Sequence, residues 1–532
     1  MDSSAPAAPA IMMPLSQEAE PEINPWLVAV TVILPTFMQL LDTDVAGVIL
    51  PHIAGSLSAT LNESTWVITS HLIAIAIILP LSGWFCDTIG RTRFYTGCVV
   101  AFTVSSLCCG LAPNLPTLIL FRIIQGVGGG GLQPTAQAIL ADTFPPAKRS
   151  MAFAIYGMAV VVAPAISPTL GGWITDNSTW RWVFFINVPL GMLSLLLISR
   201  FLKDPPILES EERTSRMRVD WLGMGMLAWG LGALEFVLDK GQEDDWFGSR
   251  RIVIMLATAV VCLLGVLIRD LVIKNPIIDL KLFRFRNFAI ANILGFFLGF
   301  VLNSSIILVP QYLQTMMDYS ATQAGLVLSA GSAIYVVMMP FVGKMIPRVG
   351  ARPLVIFGFT TVGISLIWTS RLNLQTDFWT VSSTRTLCMI GMACLFTPVS
   401  LICYSTIPMG KNNAASSLYN MIRNLGASIG ISSLSTVLVR RSQLHQARLV
   451  EHITSDNLLY RIQQSQMSQY IRMHADGLET PTSRAVALLY RSVVQQATAL
   501  AYLDVFWLLG VISFMMPIVA LFVLRGATRS KA

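Results

Sequence analysis

The sequence predicts an all-α membrane protein: fourteen transmembrane helices arranged as two six-helix bundles plus an inserted helix pair. Three observations carry this. First, 54% of the 532 residues are hydrophobic and 12% are charged, whereas a soluble chain carries about 25% charged residues. Second, apolar runs recur from Trp26 to Leu524, each near the length of about 20 residues that spans a bilayer as a helix. They fall near 26–50, 65–86, 94–112, 116–140, 151–174, 182–202, 219–238, 252–272, 287–314, 322–343, 353–370, 380–406, 414–438 and 501–524. Third, LPLSGWFCDTIG and MPFVGKMIPRVG both read P-x2-G-x6-G, so that Pro80, Gly83 and Gly90 are answered by Pro340, Gly343 and Gly350. Leu41-Asp42 with Leu302-Asn303, Pro134 with Pro398 and Tyr156 with Tyr419 keep nearly the same separation. One match is weak, since Pro and Gly are frequent in membrane helices, but several in one order indicate a repeated six-helix unit. The expected divisions are an N-tail (1–25), a first bundle (26–202), the inserted pair with its linkers (203–285), a second bundle (286–525) and a C-tail (526–532).

The N-tail holds four acids (Asp2, Glu18, Glu20, Glu22) and no Lys or Arg. It therefore lacks the basic region of a signal peptide, and the first span is expected to be retained. With both termini inside, the inner loops and C-tail hold about 21 of the 36 Lys and Arg, against about five in the short outer loops. The net charge of +7 thus reports orientation in a lipid bilayer, and nucleic-acid binding is a poor reading. All eight cysteines fall within or at the ends of spans, there is no C-x2-C and the histidines are scattered. Neither a disulfide framework nor a metal site is expected.

Ionisable residues inside spans cost about 2.5–3.5 kcal/mol each and normally face protein or water. The candidates here are Asp42 and Asp44 on the first span, His71 on the second, Arg122 on the fourth, Arg385 on the twelfth and Arg423 on the thirteenth. Asp42 lies about 8 residues from the outer end of its helix and Arg122 about 6 from its own, a depth difference of about 3 Å. An Asp42–Arg122 pair is therefore reasonable, and burying one without the other is costly. A carboxyl balanced between burial and a neighbouring arginine changes protonation as its exposure changes, so Asp42 is the expected carrier of a coupling proton; the alternative is a static brace. Asp44 points about 200° away around the helix, as a second proton site or as lining of an outer funnel. His71 is either a titrating group near neutral pH or a polar side chain bonded to a neighbour. Arg385 reads as structural.

RIIQGVGGGGLQPT contains G-x-G-x-x-G at Gly126, Gly128 and Gly131. A dinucleotide fingerprint needs a preceding strand, but these glycines sit inside a span and no Walker lysine follows. Small residues on membrane helices let a neighbouring backbone approach closely, so the run is a packing surface. The missing nucleotide loop points to a secondary transporter, with no catalytic set and no cofactor. Parallel repeats place a substrate site near the midplane between the halves. That cavity is expected to be lined from the first, fourth, ninth and twelfth helices, with Gln39, Gln125, Gln133 and Asn303 as sparse polar groups among Met, Phe and Leu. Walls of that kind suit diverse amphipathic ligands, although ordinary helix packing would use the same residues. Arg423 has a substrate or a structural role. Residues 441–500, with HQARLVEHITSDNLLYRIQQSQMSQYIRM, read as an outer segment of one or two amphipathic helices.

Several motifs resemble those of the major facilitator superfamily. GWFCDTIGRTR resembles its loop motif between spans two and three, RIIQGVGGGG its fourth-helix motif, and APAISPTLGGW its fifth-helix antiporter motif, with Ser167 where a glycine is usual. LDTDVAGVILP, WRWVFFINVPLG, LDKGQEDDW and YSATQAGL narrow the resemblance to the fourteen-span drug:proton antiporters of EmrB/QacA type, closest to the EmrB-like branch. The resemblance implies a major facilitator fold and proton-coupled export of hydrophobic, drug-like compounds, with Asp42 and Arg122 as the first- and fourth-helix coupling residues. It also implies a cytoplasmic latch from Gly83, Asp87, Gly90, Arg91 and Arg93, with Asp87 pairing a basic group or facing a helix N-terminus. Pro164, Pro168, Gly171 and Gly172 become the bent, tightly packed antiporter helix. The expected location is a bacterial inner membrane, in a tripartite pump with an EmrA-type periplasmic adaptor and an outer-membrane channel. A dedicated transporter of one metabolite, such as a fatty acid or siderophore, is the alternative on the same fold.

Overall fold

Apolar runs become long helices once the backbone has no water to bond, even with prolines inside them such as Pro35, Pro80, Pro310 and Pro398. The computed structural model describes residues 24–203, 220–273, 276–408, 410–451, 453, 457–474 and 481–523. The N-tail acids and residues 526–532 lie outside the described residues. Among the described residues fourteen helices are long and apolar enough to cross a membrane. Spans 1–6 are Pro25–Val48, Leu61–Ile89, Arg91–Leu111, Leu115–Thr143, Pro146–Asn177 and Trp182–Phe201. Spans 7 and 8 are Trp221–Lys240 and Arg250–Val272. Spans 9–14 are Arg286–Met316, Thr322–Val349, Ala351–Thr369, Phe378–Tyr404, Asn412–Glu451 and Ser483–Leu521. Polar caps fix several starts: Asn114 accepts from the Thr117 N–H and Asp377 from the Thr380 N–H, while Ser320 and Gln323 form a capping box.

The repeat is visible in the backbone. Gly90 and Gly350 end spans 2 and 10 with φ of 105° and 91°, a region that favours glycine. Gly83 lets span 2 meet Ala414 and Ser417 of span 13, and Gly343 lets span 10 meet Met151 and Ala154 of span 5. These two crossings close one membrane face, here called basal, which bears the 83–93 loop. The glycine run of span 4 is a packing surface as expected. A Cβ on Gly126 would lie 2.6 Å from the His71 carbonyl oxygen, and one on Gly128 2.7 Å from the Phe102 nitrogen. Span 4 breaks at Gly131 into Leu115–Gly130 and Leu132–Thr143.

Span 7 packs against spans 2 and 13, with span 8 outside it. Val260, Val261, Leu264, Ile268 and Leu271 of span 8 turn an apolar face outward. At the opposite, distal face the structure departs from the expected ends of the last spans. Span 13 continues as one helix to Glu451, and the last helix already begins at Pro481, with Leu458–His474 packed on it. RRSQLHQARLVE has no Gly or Pro to end a helix, so hydropathy marks where the apolar stretch stops and not where the helix does.

Candidate functional site

Asp42 and Arg122 meet. Arg122 Nη1 donates to Asp42 Oδ2 at 2.6 Å, and both side chains are fully buried. Two spans supply the remaining donors to the carboxylate: Asp42 Oδ1 accepts from Gln125 Nε2 at 3.1 Å and from Asn187 Nδ2 at 2.7 Å. Ser106 accepts from both of those amides. Arg122 also donates to Gln125 Oε1 at 2.7 Å and through Nε to the Val67 carbonyl at 3.1 Å, and it lies 5.5 Å from the Phe184 ring centre. Its Nη2 has no partner among the described residues. A buried ion pair of this kind is sustained by the extra hydrogen bonds that fill its remaining positions.

His71 ties this centre to span 1. Its Nδ1 lies 3.2 Å from the Arg122 carbonyl and its Nε2 3.4 Å from Thr43 Oγ1. From Thr43 a polar chain continues: Gln39 Nε2 donates to Thr43 at 3.3 Å, Gln133 Nε2 to Gln39 Oε1 at 3.0 Å, and Arg423 Nη2 to Gln133 Oε1 at 2.8 Å. The chain thus crosses from the first bundle to span 13 of the second.

Gln39, Gln133, Asn303 and Arg423 line a cavity of about 500 Å³, together with Asp44 and apolar side chains such as Leu72, Leu298, Leu302 and Phe396. Two expectations are corrected here. Gln125 does not line the cavity; it is fully buried beside Asp42. Nor do spans 1, 4, 9 and 12 suffice, because spans 2, 7 and 13 contribute much of the wall. Span 7 bridges spans 2 and 13 on this side, bonding to one through Thr69–Asp239 and to the other through Ser428–Glu235. Asp44 faces the cavity while Asp42 faces the bundle interior, as their angular separation requires. Asp44 makes no hydrogen bond or ion pair among the described residues.

The floor below the cavity is sealed by polar bonds between the bundles. Gln137 and Asn420 exchange amide hydrogen bonds at 3.1 Å each way, and Tyr404 donates to Gln137 at 3.2 Å. Lower still, Asn413 donates to Asp87 at 2.8 Å and accepts from Arg91 Nε at 2.8 Å, while Arg91 also pairs with Asp142 at 2.5 Å and Asn412 donates to Asp142. Asp87 therefore faces the start of span 13, where a helix favours negative charge. Arg93 is exposed on this face.

In the fifth span, Pro164 lines the cavity. Gly171 lies against span 1, where a Cβ would come 2.9 Å from Val45 Cγ1. Gly172 departs from the expected tight packing, since a Cβ added there would meet nothing within 4 Å. Ser167 donates to the Ala163 carbonyl at 2.7 Å and reaches the Leu41 carbonyl at 3.3 Å. The Pro168 side chain lies outside the described residues. Arg385 is buried in the second bundle and donates to Ser305 at 3.2 Å.

Sequence reasoning missed Ser106, Asn187, Asp142, Asn412, Asn413 and Glu235. Glu235 had the available signal, a carboxyl within a span, the criterion that selected Asp42. The others are neutral amides and hydroxyls, or sit at a helix end, and nothing local distinguishes them from capping or packing residues.

A cavity between two bundles, sealed at one face and backed by a buried ion pair, is the arrangement of a two-bundle membrane transporter. Residues 32–431 match the family model described as Major Facilitator Superfamily. The multidrug export protein EmrB of Escherichia coli K12 is 36% identical over 515 residues, covering 94% of this chain and 98% of that protein. The fatty acid resistance protein FarB of Neisseria gonorrhoeae is 39% identical over 424 residues, covering 79% and 82%. Among solved structures, the proton:xylose symporter XylE aligns with a TM-score of 0.58 at 14% identity, covering 93% and 94%, which supports the fold alone. The chain belongs to the major facilitator superfamily, and it is a multi-pass membrane protein.

Proposed function

We propose that this chain exports hydrophobic and amphipathic compounds, in the manner of a multidrug efflux transporter, in exchange for protons and by alternating access. One observation supports the reading above others: a polar chain runs from Arg423 in the cavity through Gln133, Gln39, Thr43 and His71 to the backbone carbonyl of Arg122, whose side chain pairs with the buried Asp42. Bundles 26–202 and 286–525 move as bodies, with 203–285 carried between them. The basal face is cytoplasmic, both termini lie inside, and the conformation is outward-open with its latch (Gly83, Asp87, Gly90, Arg91, Arg93) engaged. Protonation of Asp42 from outside weakens its hold on Arg122 and favours return to the inward state; release inside restores the pair and favours loading of substrate. Asp44, facing the cavity, is a second proton site, and His71 couples both to span 2. The span bearing Pro164, Pro168, Gly171 and Gly172 slides on span 1 at Val45. Gln39, Gln133, Asn303 and Arg423 contact substrate, whereas Gln125 supports Asp42.

The distal projection exposes Leu458, Leu459 and Tyr470 at 67%, 75% and 62%. This supports docking of an EmrA-type adaptor, through which an outer-membrane channel would be reached from the bacterial inner membrane. Proton release from purified protein on addition of a compound panel tests the reading, in wild type and in Asp42→Asn and Asp44→Asn. Release by many wild-type ligands and its loss in Asp42→Asn are expected; undiminished release in Asp42→Asn overturns the assignment. A dedicated exporter of one metabolite would respond to a single compound class.

A further inference from the structure

The inserted pair has no part in the proton path, yet its span 7 forms one wall of the cavity through Glu235, Leu238, Asp239 and Gln242. Glu235 and Asp239 stand one turn apart on the same helix face. Glu235 is 6% exposed; its Oε1 accepts from Ser428 Oγ at 2.8 Å, and its Oε2 has no partner among the described residues. One turn along span 13, the Ser432 hydroxyl also lines the cavity, is 5% exposed and is likewise unpartnered. Asp44 of span 1 meets the same space.

The charge balance of this cavity is one-sided. Its lining cation, Arg423, is engaged through Nη2 by Gln133 and lies against the rings of Phe396 and Tyr419, with Nη1 unpartnered among the described residues, so one cation stands against three carboxyls. Lys240, next to Asp239 in sequence, donates to Thr65 and Glu243 and does not line the cavity. Asp239 accepts from Thr69 Oγ1 at 2.6 Å. None of Asp44, Glu235 and Asp239 forms an ion pair among the described residues. Carboxyls held in a largely apolar wall without a cation are expensive, and a cationic guest supplies the missing partner.

We infer that Glu235 of span 7, with Ser428 and Ser432 of span 13 and Asp44 of span 1, forms a recognition site for the cationic head of a hydrophobic amine or onium compound. The apolar body of that compound lies on Leu298, Leu302 and Phe396. This inference rests on reading the cavity as the substrate path, and it gives the inserted pair a role in choosing substrates by charge.

Equal-sized ions of opposite sign test it. Tetraphenylphosphonium and tetraphenylborate binding to the purified full chain is measured by equilibrium dialysis, for wild type, Glu235→Gln and Glu235→Asp. Wild type is expected to prefer the cation at least tenfold. Glu235→Gln should cut that ratio by a factor of ten or more, and Glu235→Asp should restore part of it. A misfolded variant would lose binding of both ions, so the ratio is read in variants that retain wild-type affinity for tetraphenylborate, where its collapse is specific to charge recognition. An unchanged ratio in Glu235→Gln, or equal wild-type affinity for the two ions, overturns the inference. If wild type excludes neutral dyes from cells but shows no charge preference, this site fails while the export reading stands. If it neither binds nor excludes any amphiphile, the export reading itself fails.

Discussion

The Asp42–Arg122 pair admits a double-mutant test that separates a brace from a moving part. In Asp42→Asn, a side chain accepting three hydrogen bonds, from Arg122, Gln125 and Asn187, is replaced by one with a single acceptor oxygen and two donor hydrogens. At least one of those contacts becomes donor against donor, and Arg122 keeps its charge with no carboxylate partner, its other acceptors being Gln125 Oε1 and the Val67 carbonyl. Breaking a buried pair in this way costs about 3–5 kcal/mol. Arg122→Gln should cost a similar amount, because it leaves the carboxylate unpaired. Combined, the two changes remove both charges, and a neutral Asn–Gln contact should recover at least about 2 kcal/mol relative to the sum of the singles, within the range of coupling between contacting residues. Denaturant unfolding in detergent micelles, followed by tryptophan fluorescence, reads the three variants against wild type. Additive single effects, or singles costing under about 1 kcal/mol, would refute the energetic reasoning. Transport is then measured on the double variant. A static brace predicts that dye exclusion returns with stability; a proton carrier predicts that stability returns and transport does not.

Other predictions follow from specific contacts. Asp87→Asn removes the charge from a bond to Asn413, about 1.5–3 kcal/mol of a closed-state contact; spin labels on the exposed Arg93 and Arg348 should report a longer basal distance by electron resonance. Gly126→Ala forces a Cβ to within 2.6 Å of the His71 carbonyl oxygen and should destabilise by about 1–3 kcal/mol in thermal unfolding. Gly172→Ala meets nothing within 4 Å and should be neutral within about 0.5 kcal/mol in the same assay. Asp220, outside the spans, is held below the usual carboxylate range by hydrogen bonds from Arg269 and then from the Gly223 N–H. A depressed folded-state pKa contributes stability above the ordinary carboxyl pKa of about 3.9 that is lost as pH falls further. Melting temperature below pH 4 should therefore decline less steeply in Asp220→Asn than in wild type.

The architecture was legible because its causes are local and repeated. Apolar length gave the spans, and Gly90 with Gly350 gave the repeat, since an imposed positive φ restricts the residue type wherever the fold requires it. The Asp42–Arg122 pair was legible for an energetic reason: a lone charge in a span needs a partner, and equal depth names it. The neutral supports were not. Asn187 completes the carboxylate's coordination and Ser106 holds its amide donors, but an amide or hydroxyl in a span carries little penalty and raises no question about its partner. The cavity walls were misjudged because two-bundle symmetry speaks for the repeated helices alone; span 7 has no counterpart in the repeat, so symmetry places none of its side chains.

Span 4 joins these features into one device. Four successive stretches of it reach four different stations: Arg122 and Gln125 the ion pair, Gln133 the cavity chain, Gln137 the floor, and Asp142 the latch. The first station lies before the break at Gly131 and the other three after it. Gly131 cannot gain a side chain without strain, because a Cβ there would meet Cys98 Sγ at 2.6 Å. A change in the bond between Asp42 and Arg122 therefore acts on one rigid half-helix, while the contacts that hold the bundles together belong to the other. On the proposed exchange mechanism, coupling between protonation and opening requires the two halves to move together, with Gly131 as the joint between them. Gly131→Ala should leave proton-site chemistry intact and weaken the link. In that variant, ligand binding should persist while ligand-driven proton release falls, and equal loss of both in a folded variant would refute this coupling.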